Sequence, residues 1–326
     1  MAGALEASRD SVGFIGLGAL GAPMATNLIH AGFPLTLHNR SREREAVLLA
    51  ELAKARQASQ NDHHGPLPSR AGTPAEAAAA VGGAGILCLC LSDDAAVEAV
   101  LLEGENAAIH GLQPGALVVD FSTISPAATR RLAERCASNG VAWLDAPVTG
   151  GTEGARAGTL SVLAGGDTHD LERARPLLEE VGGRITHLGP VGSGQQAKAV
   201  NQVLVAGSYA AVAEAMALGQ RLGLPMPELV QALQGGAAGS WALTHRAANM
   251  LNGHYPLGFK LSLHRKDLAI ALAEAAASGL ELPVSERVAA LEDNLISRGH
   301  GEEDVSALAR WFSQPASGDE PAQYQP

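Results

Sequence analysis

Lys198 stands at the head of the chain's longest apolar stretch, in Gly192-Ser193-Gly194-Gln195-Gln196-Ala197-Lys198-Ala199-Val200-Asn201-Gln202. The run from there to Leu222 has no proline and many alanines, which predicts one helix of about 40 Å at roughly 1.5 Å per residue. Helical spacing puts Lys198, Asn201 and Gln202 on one face, as an ammonium flanked by two amides. From Val203 to Ala213 the helix is apolar almost all round, the pattern of a segment buried on several sides. An amine on its first turns either snorkels to solvent or meets a partner or a substrate. Held against a substrate, it could polarise a carbonyl and protonate it, or take the proton of a hydroxyl.

A second constellation opens the chain. Val12-Gly13-Phe14-Ile15 reads as a strand running into Gly16-Leu17-Gly18-Ala19-Leu20-Gly21, and the stretch from Ala22 to Ala31 reads as a helix that Gly32 stops. Strand, glycine turn and helix in that order form a dinucleotide cradle: the glycines allow a tight turn, close approach to a pyrophosphate and close helix packing. The next strand, Pro34 to His38, ends at Asn39-Arg40-Ser41. An acidic residue there would bind the ribose 2′-hydroxyl of NAD, whereas Arg40 can pair with a 2′-phosphate, so NADP(H) is favoured and NAD(H) stays possible. Ser41 can cap the following helix.

Three further strand ends carry polar groups. Ile86 to Leu91 reaches Ser92, and the crevice rule for open sheets puts Leu91 and Ser92 beside the cofactor. Leu117 to Asp120 leads to Ser122 and Thr123, with Pro126 opening a helix. Val141 to Asp145 leads to Ala146-Pro147-Val148-Thr149-Gly150-Gly151-Thr152-Glu153-Gly154-Ala155, read as a loop whose backbone N–H groups and hydroxyl could hold an anion. Leu160 to Ala164 and Ile185 to Leu188 are closing strands around a helix from Asp170 to Val181. The polar stretch from Gln57 to Arg70 reads as an exposed loop. Its His63 and His64 lack converging partners, so no metal site is expected.

These readings set the architecture: an α/β, Rossmann-type doubly wound sheet followed by an all-helical C-terminal domain. Residues 1–11 form a loose N-terminus, 12–191 the NADP(H)-binding domain, 192–312 a helical substrate and dimerisation domain, and 313–326 a disordered tail. Helices are expected over Pro227–Leu233, Trp241–Leu251, Leu261–Ala277, Pro283–Arg298 and Asp304–Phe312. The formal net charge of the 326 residues is -11, with no basic cluster, which argues against nucleic acid or an anionic membrane as partner. No apolar run reaches membrane-spanning length without glycine or polar breaks, and the first strand starts too early for a targeting peptide. Three cysteines are too few for a disulfide framework, and Cys88 and Cys90 read as core thiols of a cytoplasmic protein. The long helix is too apolar, and too rich in small residues, to stand alone, so a homodimer or homotetramer through the helical domain is expected.

Taken together, the segments Gly13 to Leu28, Asp120-Phe121-Ser122-Thr123, Asp145-Ala146-Pro147-Val148-Thr149-Gly150-Gly151, the Lys198 stretch and Lys266-Asp267-Leu268 resemble the β-hydroxyacid dehydrogenase family. That family includes 3-hydroxyisobutyrate dehydrogenase and the tartronate and succinic semialdehyde reductases. The resemblance spans Val12 to Phe312. It implies that Lys198 is the catalytic lysine, that Thr149, Gly150, Gly151 and Asn201 or Gln202 hold the substrate, and that Thr123 and Lys266 touch the cofactor. From the residues alone, Lys266 and Asp267 read as surface charges at a helix's early turns. The chain departs from the family at Leu20, where methionine is usual, and at Thr149, where serine is usual and the extra methyl enters the substrate loop.

The chemistry follows. A small 3-hydroxyacid and its semialdehyde or keto acid would interconvert, with Lys198 as general acid or base and the substrate carboxylate seated on Ser122 and the Thr149–Gly151 backbone. A free lysine ionises near pH 10.4, so oxidation requires that value to be lowered, whereas reduction uses the protonated amine as it stands. With Arg40 pointing to NADP(H), reduction is the expected direction. Two alternatives share the architecture: an imine reductase and a catalytically silent dinucleotide-binding module. Lys198 weighs against both.

Overall fold

The computed structural model describes residues 10–58 and 67–313. The expected loose N-terminus, His63 and His64, and the acidic tail lie outside them, apart from Asp10, Ser11 and Ser313 at their edges. Two compact units divide between Val200 and Asn201, inside one long helix.

Among the described residues, the first unit is a nine-stranded sheet with helices. The strands β1 (Val12–Ile15), β2 (Leu35–His38), β3 (Ser69–Arg70), β4 (Ile86–Leu89), β5 (Leu117–Asp120) and β6 (Ala142–Asp145) run parallel in the order β3-β2-β1-β4-β5-β6. Beyond β6, the strand β8 (Leu160–Gly166) pairs antiparallel with β6 and with β7 (Val148–Thr149), and parallel with β9 (Gly182–His187). Leu37, Phe14, Cys88, Val119 and Leu144 fall in register across five strands and are all fully buried. They face the helix α1 (Gly21–His30), whose Met24 and Leu28 are buried in the same core. Leu87, Val118 and Trp143 form the row on the other face. Burial on both faces explains why these strands read as unbroken apolar runs. In that second row Gly13 lets the helix α3 (Pro74–Ala79) sit directly on β1, since a Cβ there would lie 2.7 Å from the Ala77 carbonyl.

Three local readings are corrected. The helix α2 (Arg42–Ala58) enters the stretch expected to be a loop from Gln57, and β3 closes it, because pairing with β2 stabilises a strand too short to show a period. The stretch after Asp145 is not all loop: β7 is followed by the helix α6 (Gly151–Ala157), which Gly158 ends in a left-handed turn. The helix α4 (Asp94–Leu102), capped by Asp93, was not foreseen. The helices α5 (Pro126–Ala137) and α7 (Thr168–Val181) stand where expected.

The long helix α8 (Ser193–Arg221) begins in the first unit and ends in the second. By length and mean hydropathy it is long and apolar enough to cross a bilayer. The expectation of no such run rests on breaks such as Gly207, Ser208 and Glu214, which its valines, leucines and alanines outweigh in the average. The second unit completes itself with α9 (Met226–Gln234), α10 (Trp241–Asn252), α11 (Leu261–Ala277), α12 (Pro283–Ser297) and α13 (Ala309–Ser313), preceded by a 3-10 turn over Val305–Leu308. Leu243, Met250, Leu261, Leu268, Val288, Leu295 and Leu308 form its core. Asp304, fully buried, ties the chain ahead of α11 by accepting from the Gly258 and Phe259 N–H groups and from Ser306.

Candidate active site

The parallel strands β1, β2, β4, β5 and β6 point their carboxyl ends to one edge of the sheet, and the foreseen residues of the first unit, Lys198 on α8 apart, come after those ends in the chain. After β1, the glycines divide by role. Gly16 has φ +103°, and a Cβ on it would lie 2.3 Å from the Cys90 carbonyl; a Cβ on Gly21 would lie 1.9 Å from the Gly16 carbonyl. Both are required by the turn itself. Gly18 is different, for the nearest atom to a Cβ there is Arg44 Nη1 at 3.8 Å. Nothing among the described residues demands a bare backbone at Gly18, whereas a pyrophosphate lying against Gly18, Ala19 and Leu20 would. The helix that follows has no side-chain cap; its Ala22 N–H donates to the Gly18 carbonyl and Pro23 has none, so an anion would meet the N–H groups of the turn ahead of them. The turn therefore fits a dinucleotide.

Asn39 holds that turn. Its Oδ1 accepts from the Leu17 N–H at 2.8 Å and its Nδ2 donates to the Ser41 carbonyl, so both amide groups are engaged within the protein. A carboxylate does stand at the end of β2: the fully buried Glu45 accepts from the Asn39 N–H, Arg42 and Arg70. Two guanidinium groups neutralise it, and it faces inward. Arg40 is exposed, and Arg44 donates to the Leu17 carbonyl at 3.4 Å. Arg44 thus sets a guanidinium beside the glycine turn, one that the sequence reading did not single out.

The ends of β4 and β5 are tied together. Leu91 N–H donates to Ser122 Oγ at 2.9 Å, and Ser122 N–H donates to Asp120 Oδ1. Ser92 donates to Asp93, and Asp94 accepts from the Ser125 N–H. Ser122 is buried and Thr123 half-buried. Cys90, next to Asp120, is held as a thiol, its pKa pushed up to about 12 by burial and then by the Asp120 charge; burial raises Cys88 too. After β6 come Thr149, half-buried, then Gly150 at φ +135° and Gly151 at φ +64°, angles that require glycine there. Gly150 caps α6 with no side-chain hydrogen bond.

Lys198 lies on α8 and is 6% exposed, so the snorkelling alternative is not what the structure shows. What fixes its helix was not foreseen. Asp145, at the end of β6, accepts from the Gly192 N–H at 2.8 Å and the Gln195 N–H at 3.0 Å. Burial pushes its carboxyl up to about 6, against the backbone N–H groups that hold it down. Gln195, 1% exposed, donates to the Ser122 carbonyl at 2.8 Å and accepts from the Ile124 N–H. In the second unit, Asn201 donates to Gln202, Gln202 donates to the buried Asp267 at 2.7 Å, and Lys266 pairs with Asp267 at 2.8 Å. Gln202 is therefore committed on both sides of its amide.

Comparison with known proteins agrees with this geometry. Residues 11–189 match the family described as the NAD binding domain of 6-phosphogluconate dehydrogenase, and residues 192–312 the family described as the NAD-binding domain of NADP-dependent 3-hydroxyisobutyrate dehydrogenase. The chain belongs to the β-hydroxyacid dehydrogenase family. The NAD-dependent L-serine dehydrogenase of Pseudomonas aeruginosa is 36% identical over 92% of this chain and 97% of its own. The 2-hydroxy-3-oxopropionate reductase of Escherichia coli is 36% identical over 92% and 96%. Among solved structures, 3-hydroxyisobutyrate dehydrogenase of Mycobacterium tuberculosis with L-serine is similar at a TM-score of 0.79 and 29% identity, covering 94% of this chain and all of that one. The protein is an NAD(P)-dependent oxidoreductase of hydroxyacids, with a Rossmann-like domain and a helical C-terminal domain.

Proposed function

We propose that this enzyme uses NADP(H) to interconvert a small 3-hydroxyacid and its semialdehyde or keto acid, working as a reductase, with Lys198 as the proton donor. The observation that carries the reading is the burial of Lys198 one turn into a helix fixed to the carboxyl end of β6. When bound on Gly16 to Gly21, the dinucleotide supplies the two-electron chemistry. Lys198 gives its proton to the carbonyl oxygen of the substrate, and takes it back in the oxidative direction. Gly150, Gly151 and Ser122 hold the substrate carboxylate, with Asn201 presenting an amide. Relatives named for L-serine and 2-hydroxy-3-oxopropionate support a short acid bearing oxygen on its third carbon.

Arg40 and Arg44 support NADP(H), since a 2′-phosphate would meet two guanidinium groups while Glu45 is neutralised. Lys266 and Thr123 are assigned to the cofactor. We also assign the enzyme to the cytoplasm, as a homodimer or homotetramer. On α8 and in the turn just past it, Leu204, Ala211, Ala215, Leu218 and Leu222 are exposed, with Leu204, Leu218 and Leu222 each at least 60% exposed. An apolar stripe of that kind fits a second copy of the helix.

The test is oxidation of NADPH and NADH with glyoxylate, succinic semialdehyde, tartronate semialdehyde and cyclic imines. The expected result is turnover of a semialdehyde with NADPH and none of the imines. NADH-only turnover would remove the cofactor assignment, and imine turnover alone the substrate class.

A further inference from the structure

We infer that Asp145 is a positioning residue for Lys198, and that Gln195 extends the same clamp to the Ser122 loop; the inference rests on Lys198 as the acid/base. Asp145 Oδ1 takes the Gly192 N–H and Oδ2 the Gln195 N–H, so each carboxylate oxygen holds one donor at the start of α8. A carboxylate at a helix N-terminus also meets the positive end of the helix dipole. The fit around the carboxylate is close. A Cβ on Gly165 would lie 2.8 Å from both Asp145 oxygens, and a Cβ on Gly194 would lie 2.3 Å from the Leu163 carbonyl and 2.8 Å from Asp145 Oδ2. Two bare positions thus let β6, β8 and the helix start meet around one buried carboxylate. Gln195 then joins that start to β5, through the Ser122 carbonyl and the Ile124 N–H. Lys198 follows Gln195 by three residues, about 4.5 Å along the axis, so any slip of the helix start passes directly to its amine.

Asp145→Asn keeps the shape but turns an NH2 toward one of the two N–H donors, replacing an attraction with a clash of like groups. A misplacement of about 1 Å at a reacting group can cost on the order of 100-fold in rate. In the full-length enzyme with NADPH and its best aldehyde, Asp145→Asn should lose about 10- to 100-fold in kcat, with NADPH affinity within about twofold of wild type, because the glycine turn belongs to β1. Gln195→Glu, which keeps the acceptor for Ile124 but sets an oxygen against the Ser122 carbonyl, should show the same split and serves if Asp145→Asn does not fold. Lys198→Met is run in parallel. Wild-type kcat in a folded Asp145→Asn or Gln195→Glu beside an inactive Lys198→Met overturns the positioning role alone. A fully active Lys198→Met overturns the acid/base reading and this inference with it.

Discussion

Gly18→Ala separates the fold from the function at the glycine turn. The added methyl would meet only the tip of a flexible side chain, Arg44 Nη1 at 3.8 Å, and the backbone of Gly18 is not in the left-handed region. The folded protein should therefore keep its stability to within about 0.5 kcal/mol, as a surface change does. The same methyl would project where a pyrophosphate must touch the backbone. Crowding a packed contact by one methyl costs about 1–3 kcal/mol, so NADPH should bind roughly 5- to 100-fold more weakly. Gly16→Ala and Gly21→Ala are the contrasting pair, since their methyls would strike the Cys90 and Gly16 carbonyls at 2.3 and 1.9 Å and should destabilise the fold itself. Calorimetric titration with NADPH, together with thermal unfolding of the free protein, measures both quantities. Wild-type affinity in Gly18→Ala would refute the placing of the pyrophosphate, and a large loss of free-protein stability would refute the separation of roles.

Arg40→Ala should weaken NADPH about tenfold or more while leaving NADH unchanged, read from the ratio of kcat/KM for the two cofactors; an equal loss for both would remove the 2′-phosphate assignment. Leu218→Glu should convert the proposed homodimer or homotetramer to a smaller species in sedimentation, since it sets a charge in the exposed stripe of α8, and an unchanged mass would show that the stripe lies elsewhere than at an interface. Asp145 also makes a pH prediction. Its folded pKa, about 6, lies above its ordinary value of 3.8, so the folded state holds this proton more tightly than the unfolded chain. Its contribution is therefore greatest below about pH 4 and is lost as pH rises through about 6, by roughly 3 kcal/mol in all. Asp145→Asn cannot titrate, so urea unfolding at pH 5 and 7.5 should show the wild type losing stability relative to the variant as pH rises; a constant difference would contradict the shift.

The strands β1, β4 and β5 were legible because each is buried on both faces and bounded by glycine or by polar residues, so Val12–Ile15 and Leu117–Asp120 fall where the sequence reading ends them. The same holds for Lys198 and the glycine turn, whose chemistry is carried by residues adjacent in the chain. Asp145 escaped because it caps α8 from 47 residues away, while the local signals for a helix start concern only the residues just before it. Glu45 escaped for a related reason: its neutralising partner Arg70 is 25 residues on, joined through β3, which is two residues long. The helix α6 was hidden by its composition, Gly-Thr-Glu-Gly-Ala-Arg-Ala, where propensity favours a loop. Contact with Leu160 at Gly150 and Gly154 fixes it as a helix instead.

The central claim is that Lys198 supplies the proton. Lys198→Met keeps the buried stem and removes the amine, so NADPH affinity and thermal stability should stay close to wild type. Single-turnover oxidation of bound NADPH by the preferred semialdehyde should then slow by about 100-fold or more, the range set by loss of a general acid. A variant that binds NADPH and turns over at the wild-type rate would contradict the mechanism.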